Sequence, residues 1–184
     1  MMKKLTNKVI KSFKRTIYKN KVFLIGLIVF LSIFTPAHCA SGSMEPTIMT
    51  GDICINLNTW FWYTPKRGDI IGFSRNGQIW TKRIIGLPGD MIVIKEGVVY
   101  IDGEPLEEDY IFDDVYTFSG IHSIYYVPDG HVLVMGDNRE NSYDSRYWEN
   151  PYVAISDILI KYIGTICNLP FLTDPAPQEQ DLTS

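Results

Sequence analysis

Apolar positions along the chain fall into two regimes. From Val22 to Phe34 they run almost unbroken (VFLIGLIVFLSIF), whereas beyond Ser41 they come in short stretches separated by Gly, Pro, Asp and Asn. In the second regime Ile53–Leu57 alternates, and Asp69–Phe73 follows a Pro65–Gly68 turn. Ile79–Ile85 is closed by Gly86-Leu87-Pro88-Gly89-Asp90, and Met91–Ile94 and Val98–Ile101 flank Lys95-Glu96-Gly97. Asp102-Gly103 marks a further turn, Val132–Met135 runs into Gly136-Asp137-Asn138, and Ile155–Ile166 reads as one bent strand or two. Short runs bounded by turn formers predict strands, and with no amphipathic helical period among them the segment 41–172 is expected to be all-β, a barrel or sheet. Residues 104–130, acidic and aromatic with weak periodicity, are expected as an insertion or long hairpin. The tail 173–184, with Pro175 and Pro177, carries too little apolar surface to order itself.

The first regime predicts a membrane span. No charged residue occurs between Lys21 and Glu45. A helix over 22–40 would rise about 28 Å at 1.5 Å per residue, just enough for a hydrocarbon core. Residues 1–21 hold eight basic side chains and no acid. Such a flank keeps the N-terminus in the cytoplasm and sends the acidic body to the outside. Val9, Ile10, Phe13 and Ile17 recur at helical spacing among the lysines, a pattern suited to anionic lipid headgroups. A cleaved signal peptide shares the basic-then-apolar order and ends on small residues such as Ala37 and Ala40. The long basic arm favours a retained single-pass anchor, and the flanking charges argue against a buried core helix.

Composition adds limits. The chain has 184 residues, 46% apolar and 21% charged, room for one compact domain plus an appendage. Its net charge of −4 argues against nucleic acid as a partner; with the basic arm set aside, nine basic groups face 21 acidic ones, a net −12. Export permits a Cys54–Cys167 bond but does not select it over free thiols beside Cys39. His38, His122 and His131 are scattered and there is no CxxC, so neither a metal nor another cofactor is expected. The aromatic run Thr59–Tyr63 fits either the core or a membrane interface.

Three polar segments serve no strand or turn: Ser41-Gly42-Ser43-Met44-Glu45-Pro46-Thr47, Lys82-Arg83-Ile84-Ile85-Gly86-Leu87-Pro88-Gly89-Asp90, and Gly136 to Arg146 (GDNRENSYDSR). Alone, each reads as a linker, a charged sheet edge or a solvated turn. Together with Gly68-Asp69-Ile70, and in this order, they resemble the four boxes of bacterial type I signal peptidases, membrane-anchored serine proteases of protein export. The resemblance covers residues 40–103 and 130–148. It implies a signal-peptidase-like β domain behind one N-terminal transmembrane helix, at the outer (periplasmic) face of the bacterial inner membrane. By position it implies Ser43 as nucleophile, Lys82 as general base, Ser41 with the Ser43 N–H as oxyanion hole, and Ser142 as the group orienting Lys82. Asp144 and Arg146 correspond to a supporting ion pair, and Cys39, Met44, Ile48, Trp80 and Thr81 to the walls of the substrate pocket. The implied partners are preproteins bearing signal peptides and the lipid bilayer, with cleavage after small residues in an A-x-A pattern.

The chemistry of the residues agrees with these roles. A serine hydroxyl needs a base to take its proton, and a Ser-Lys dyad is one variant of the triad logic. A lysine accepts a proton only when neutral, a form that apolar burial favours. Two features depart from the family pattern: Tyr147-Trp148 leads into Glu149 where relatives often carry glycine, and the insertion between the third and fourth boxes is short. They leave room for a specialised relative maturing a pilin or conjugation substrate. A non-catalytic membrane-anchored β scaffold would need neither Ser43 nor Lys82, and a self-cleaving repressor-type protease would need a DNA-binding domain in place of the anchor.

Overall fold

The computed structural model describes residues 18, 20–59, 63–112 and 115–168. Most of the basic arm, Trp60 to Trp62 of the aromatic run and the tail 173–184 lie outside the described residues. Contacts divide the chain into one unit, Met1–Thr35, and a second, Pro36–Ser184.

The helix of the first unit runs over 20–33 and exposes its apolar side chains, among them Phe23 and Ile25. It is shorter than the 22–40 span read from the sequence, because Phe34–His38 forms strand β1. Pro36 is the reason: it lacks the N–H of an interior helical residue and pushes Thr35 toward extended backbone. Among the described residues no helix is long and apolar enough to cross a membrane.

The second unit is β-rich, as the strand pattern predicts. A seven-stranded sheet has the order β1-β2-β11-β3-β4-β9-β10, and a four-stranded sheet the order β7-β6-β5-β8. The large sheet comprises β1, β2 (Asp52–Asn58), β3 (Ile70–Arg75), β4 (Gln78–Gly86), β9 (His131–Met135), β10 (Tyr152–Ala154) and β11 (Ile158–Asn168). The small one comprises β5 (Met91–Lys95), β6 (Val98–Ile101), β7 (Glu104–Pro105) and β8 (Ile124–Tyr126). Thus 104–130 supplies β7 and β8, and the 155–166 run becomes a 3-10 turn, Ile155–Asp157, leading into β11.

β4 and β9 are covered on both faces. Ile84, Val132 and Val134 join Ile71, Phe73, Trp80, Trp148 and Val153 on one side. On the other, Ile85, Leu133 and Met135 meet Ile92, Ile94, Val99 and Tyr125. This double burial explains why β9 reads as a continuous apolar run rather than an alternating one. Each fully buried aliphatic side chain here contributes about 1.5–3 kcal/mol. Strand alternation then decides where Lys82 goes: it shares its face with Trp80 and Ile84, and it is fully buried.

The cysteines are all free thiols. Cys54 is buried and lies opposite Thr165, whereas the exposed Cys167 lies opposite Ile53, so the pleat sends the two side chains to opposite faces. Burial pushes the Cys39 and Cys54 thiols above their ordinary range, which keeps both protonated.

Candidate active site

The segment after β1 turns back sharply, with the Ile48 N–H bonded to the Met44 carbonyl at 2.9 Å. Met44 and Ile48 bury themselves against Cys54 and Ile70, with Cys39 alongside. Those anchors hold Ser43 against β4. Its Oγ lies 2.7 Å from Lys82 Nζ and 3.4 Å from Ser41 Oγ. Both Ser43 and Lys82 are buried, and the amine stands 5.5 Å from the Trp80 ring centroid. Residues 39 positions apart in sequence therefore form one hydrogen-bonded cluster.

The loop from Gly136 to Arg146 closes the site from the far side. The Asn138 N–H donates to the Ser43 carbonyl at 3.1 Å, and Asn138 Nδ2 donates to the Gly42 carbonyl at 3.1 Å. Gly136 makes this approach possible. A Cβ there would sit 2.4 Å from the Ser43 carbonyl oxygen and 2.3 Å from Ser142 Oγ, so any side chain would push the two segments apart.

Asp144 and Arg146 are both fully buried and form a fork: Arg146 Nε donates to Asp144 Oδ1 at 2.8 Å and Nη2 to Oδ2 at 2.9 Å. Asp144 Oδ2 also accepts from the Gly136 N–H at 2.9 Å and from Ser142 Oγ at 2.7 Å. Burial alone would raise the Asp144 carboxyl, but the Arg146 guanidinium and the converging donors hold it below the ordinary carboxylate range. On Arg146, burial opposes the charge and the Asp144 carboxylate outweighs it, holding the guanidinium charged.

Two further clamps carry no role in the sequence reading. Arg83 binds Asp137 through Nε at 2.8 Å and Nη2 at 2.6 Å, while Thr47 Oγ1 donates to the same carboxylate at 2.5 Å, tying box three to box four and to the serine loop. Arg139, also buried, forms an ion pair with Glu108 and donates to Thr117 Oγ1 at 3.0 Å. The Ile121 N–H bonds the Arg146 carbonyl at 2.8 Å, so the 104–130 segment is bolted beneath the loop. The signal available in sequence was the polar run itself: acids and bases this dense on a turn, in a chain with few other unexplained charges, imply mutual pairing.

The five residues expected as pocket walls separate into groups. Cys39, Met44 and Ile48 collect with Cys54 and Ile70. Trp80 belongs instead to the other core, with Trp148 and Phe73, and Thr81 lies on β4 opposite Gly72. Among the described residues no group of three or more His, Cys, Asp or Glu side chains is placed to hold a metal ion.

Residues 14–166 match the family described as signal peptidase, peptidase S26. The chain is 36% identical over 137 residues to a Synechocystis sp. protein named Probable signal peptidase I-1, an overlap covering 68% of each. It is 34% identical over 131 residues to the signal peptidase I of Bacillus amyloliquefaciens, covering 67% of this chain and 71% of the relative. A crystal structure of a signal peptidase I from Enterococcus faecalis V583 aligns at 32% identity and a TM-score of 0.44, covering 57% of this chain and 98% of that one. With a family match across most of its length and relatives of this similarity, the chain belongs to the signal peptidase family, peptidase S26, and is a serine peptidase.

Proposed function

We propose that this protein cleaves signal peptides from exported preproteins after small residues, with Ser43 as nucleophile and Lys82 as general base. The observation that carries the reading is the 2.7 Å contact between a buried serine hydroxyl and a fully buried lysine amine. In the first step the neutral amine takes the Ser43 proton as Oγ attacks the scissile carbonyl carbon. The oxyanion that forms is met by the Ser43 N–H and by the Ser41 hydroxyl. Collapse returns the proton from Lys82 to the departing amine of the mature protein and leaves an acyl-serine. Water, deprotonated by the same lysine, then releases the signal peptide and frees Ser43.

Ser142 and the Asp144–Arg146 pair act by positioning. The bond from Ser142 Oγ to Asp144 fixes the hydroxyl, and Gly136 on the same carboxylate fixes the loop that holds the serine carbonyl. The apolar side chains of Cys39, Met44 and Ile48, which cluster in the segment that carries Ser43, would supply the surface against which an alanine-sized side chain packs. Supporting a membrane setting are the eight basic residues before the apolar helix and the exposed aliphatic side chains along 22–31. In that setting the N-terminus is cytoplasmic and the β unit external, where a tethered signal peptide would present its cleavage site.

The test is mass spectrometry of preprotein N-termini after incubation with the full chain in lipid vesicles. Wild type should release mature N-termini behind an A-x-A site. Ser43→Ala and Lys82→Ala should each release none, and the double variant should be no worse than either, because residues acting as one unit are non-additive. Substantial cleavage by Lys82→Ala would overturn the assignment of the base.

A further inference from the structure

Glu108 belongs to none of the four boxes, yet its side chain is only 8% exposed. It lies in the 104–130 segment, 31 positions before Arg139. The small sheet holds this segment in place: the Leu106 N–H donates to the Val99 carbonyl at 2.8 Å and the Thr117 N–H to the Gly97 carbonyl at 3.1 Å. Leu106 and Tyr110 pack against the core of Ile92, Val99 and Tyr125. From that base Glu108 meets the Arg139 guanidinium with both oxygens, Oε2 accepting from Nη1 at 3.0 Å and Oε1 from Nη2. The Tyr110 hydroxyl donates to Oε1 at 2.7 Å. Burial and the Glu108 carboxylate push this phenol above its ordinary range, which keeps the hydroxyl a donor.

The remaining nitrogen of Arg139 connects Glu108 to the reaction. Arg139 Nε donates to the Gly136 carbonyl at 3.0 Å, while the Gly136 N–H donates to Asp144 at 2.9 Å, so Gly136 is held at both its polar groups. Gly136 is the residue with no room for a Cβ against the Ser43 carbonyl, and two positions on the Asn138 N–H donates to that carbonyl at 3.1 Å. A guanidinium is planar and its N–H groups form a rigid fork, so a carboxylate that holds Nη1 and Nη2 also sets where Nε points. The same segment touches the strand of the lysine. The Arg83 guanidinium lies 3.9 Å from the Tyr110 ring centroid, and Arg83 follows Lys82 on β4 and binds Asp137.

We infer that Glu108 is a positioning residue for the Ser43–Lys82 dyad: through Arg139 it fixes Gly136, and with Gly136 the loop against which the Ser43 carbonyl sits. The assignment rests on the peptidase reading above. Without the carboxylate, Arg139 is a buried cation that lacks its counter-charge. Its guanidinium then turns toward other acceptors, Nε leaves the Gly136 carbonyl, and Ser43 Oγ moves off its 2.7 Å contact with Lys82.

The experiment measures kcat and KM on a preprotein with an A-x-A site, using the full chain in lipid vesicles at a temperature where thermal melts show each variant folded. Glu108→Gln should lower kcat roughly 10- to 100-fold, the scale of a misplacement of about 1 Å, with KM little changed. Arg139→Met should lose as much, and Glu108→Met with Arg139→Met no more than either, because the two residues act as one unit. That double variant separates positioning from stability. Exchanging a buried ion pair for apolar side chains of similar volume is often neutral or stabilising. Its melting temperature should therefore return close to that of wild type while its kcat stays low, the Gly136 carbonyl having lost its donor. It also decides the matter if Glu108→Gln does not fold. Full kcat in either Glu108→Gln or the double variant, or a loss confined to KM, would show that the pair only stabilises the fold and would overturn the positioning role alone. A wild type that cleaves nothing would overturn the peptidase reading, and the positioning role with it.

Discussion

Asp144→Asn is the most informative single change, because it keeps shape and removes one charge. In the folded protein the carboxylate receives the Gly136 N–H, the Ser142 hydroxyl and two guanidinium nitrogens of Arg146, with no exposed surface on either charged partner. Asparagine can retain part of this set through its carbonyl oxygen, but its NH₂ must face a donor, and Arg146 is left as an uncompensated buried cation. Breaking a buried pair from one side costs about 3–5 kcal/mol, a large share of the roughly 5–15 kcal/mol that stabilises a typical domain. Urea denaturation of wild type and variant at pH 7 measures the difference directly. The sign of its pH dependence comes from the lowered carboxyl. A group whose native pKa lies below its unfolded value contributes fully above the unfolded value, 3.8 here, and loses that contribution as pH falls through the native one. The gap between wild type and variant should therefore be constant near neutrality and close below pH 3.8. A gap under about 1 kcal/mol, the scale of an exposed pair, or one that persists unchanged into acid, would refute the role of this pair as the keystone of the loop.

Other perturbations test neighbouring steps. Ser41→Ala should lower kcat by roughly 10²–10³ if its hydroxyl is an oxyanion donor, with KM little changed in steady-state peptide assays. Gly136→Ala forces a Cβ to within 2.4 Å of the Ser43 carbonyl oxygen, and should cost about 1–3 kcal/mol by thermal unfolding, as other overpacked sites do. It should also reduce kcat by shifting Ser43 away from Lys82. Ile48→Ala should free volume in the cluster of Met44, Ile48, Cys54 and Ile70, so that peptides with Val or Leu just before the cut, poor substrates of wild type, are cleaved at rates approaching those with Ala; an unchanged preference would place the small-residue pocket elsewhere.

Much of this protein was legible from local pattern. Runs such as Val98–Ile101 became strands within a residue of their expected bounds because turn chemistry and apolar burial act over neighbours in sequence. The β class of the body and the choice of Ser43 and Lys82 as the pair to examine come from residue type, spacing and family likeness alone. Local pattern failed where a distant partner or a single backbone restriction outweighed it. Phe34–His38 is apolar enough to continue a helix, yet Pro36 ends the helical ladder and the strand finds its hydrogen bonds in the sheet. The 104–130 segment shows little periodicity because its order comes from pairings across the fold, Glu108 with Arg139 and β8 with β5. Trp80, which the family likeness implies as a pocket wall, packs with Phe73 and Trp148 in a cluster separate from that of Met44 and Ile48, a grouping set by strand pairing across the sheet. The sequence determined which groups could react and which strands could form. Only the tertiary structure decided that a lysine on β4 and a serine 39 residues earlier would stand 2.7 Å apart, because that distance depends on strand register, on loop burial and on a glycine with no side chain to keep the two segments apart.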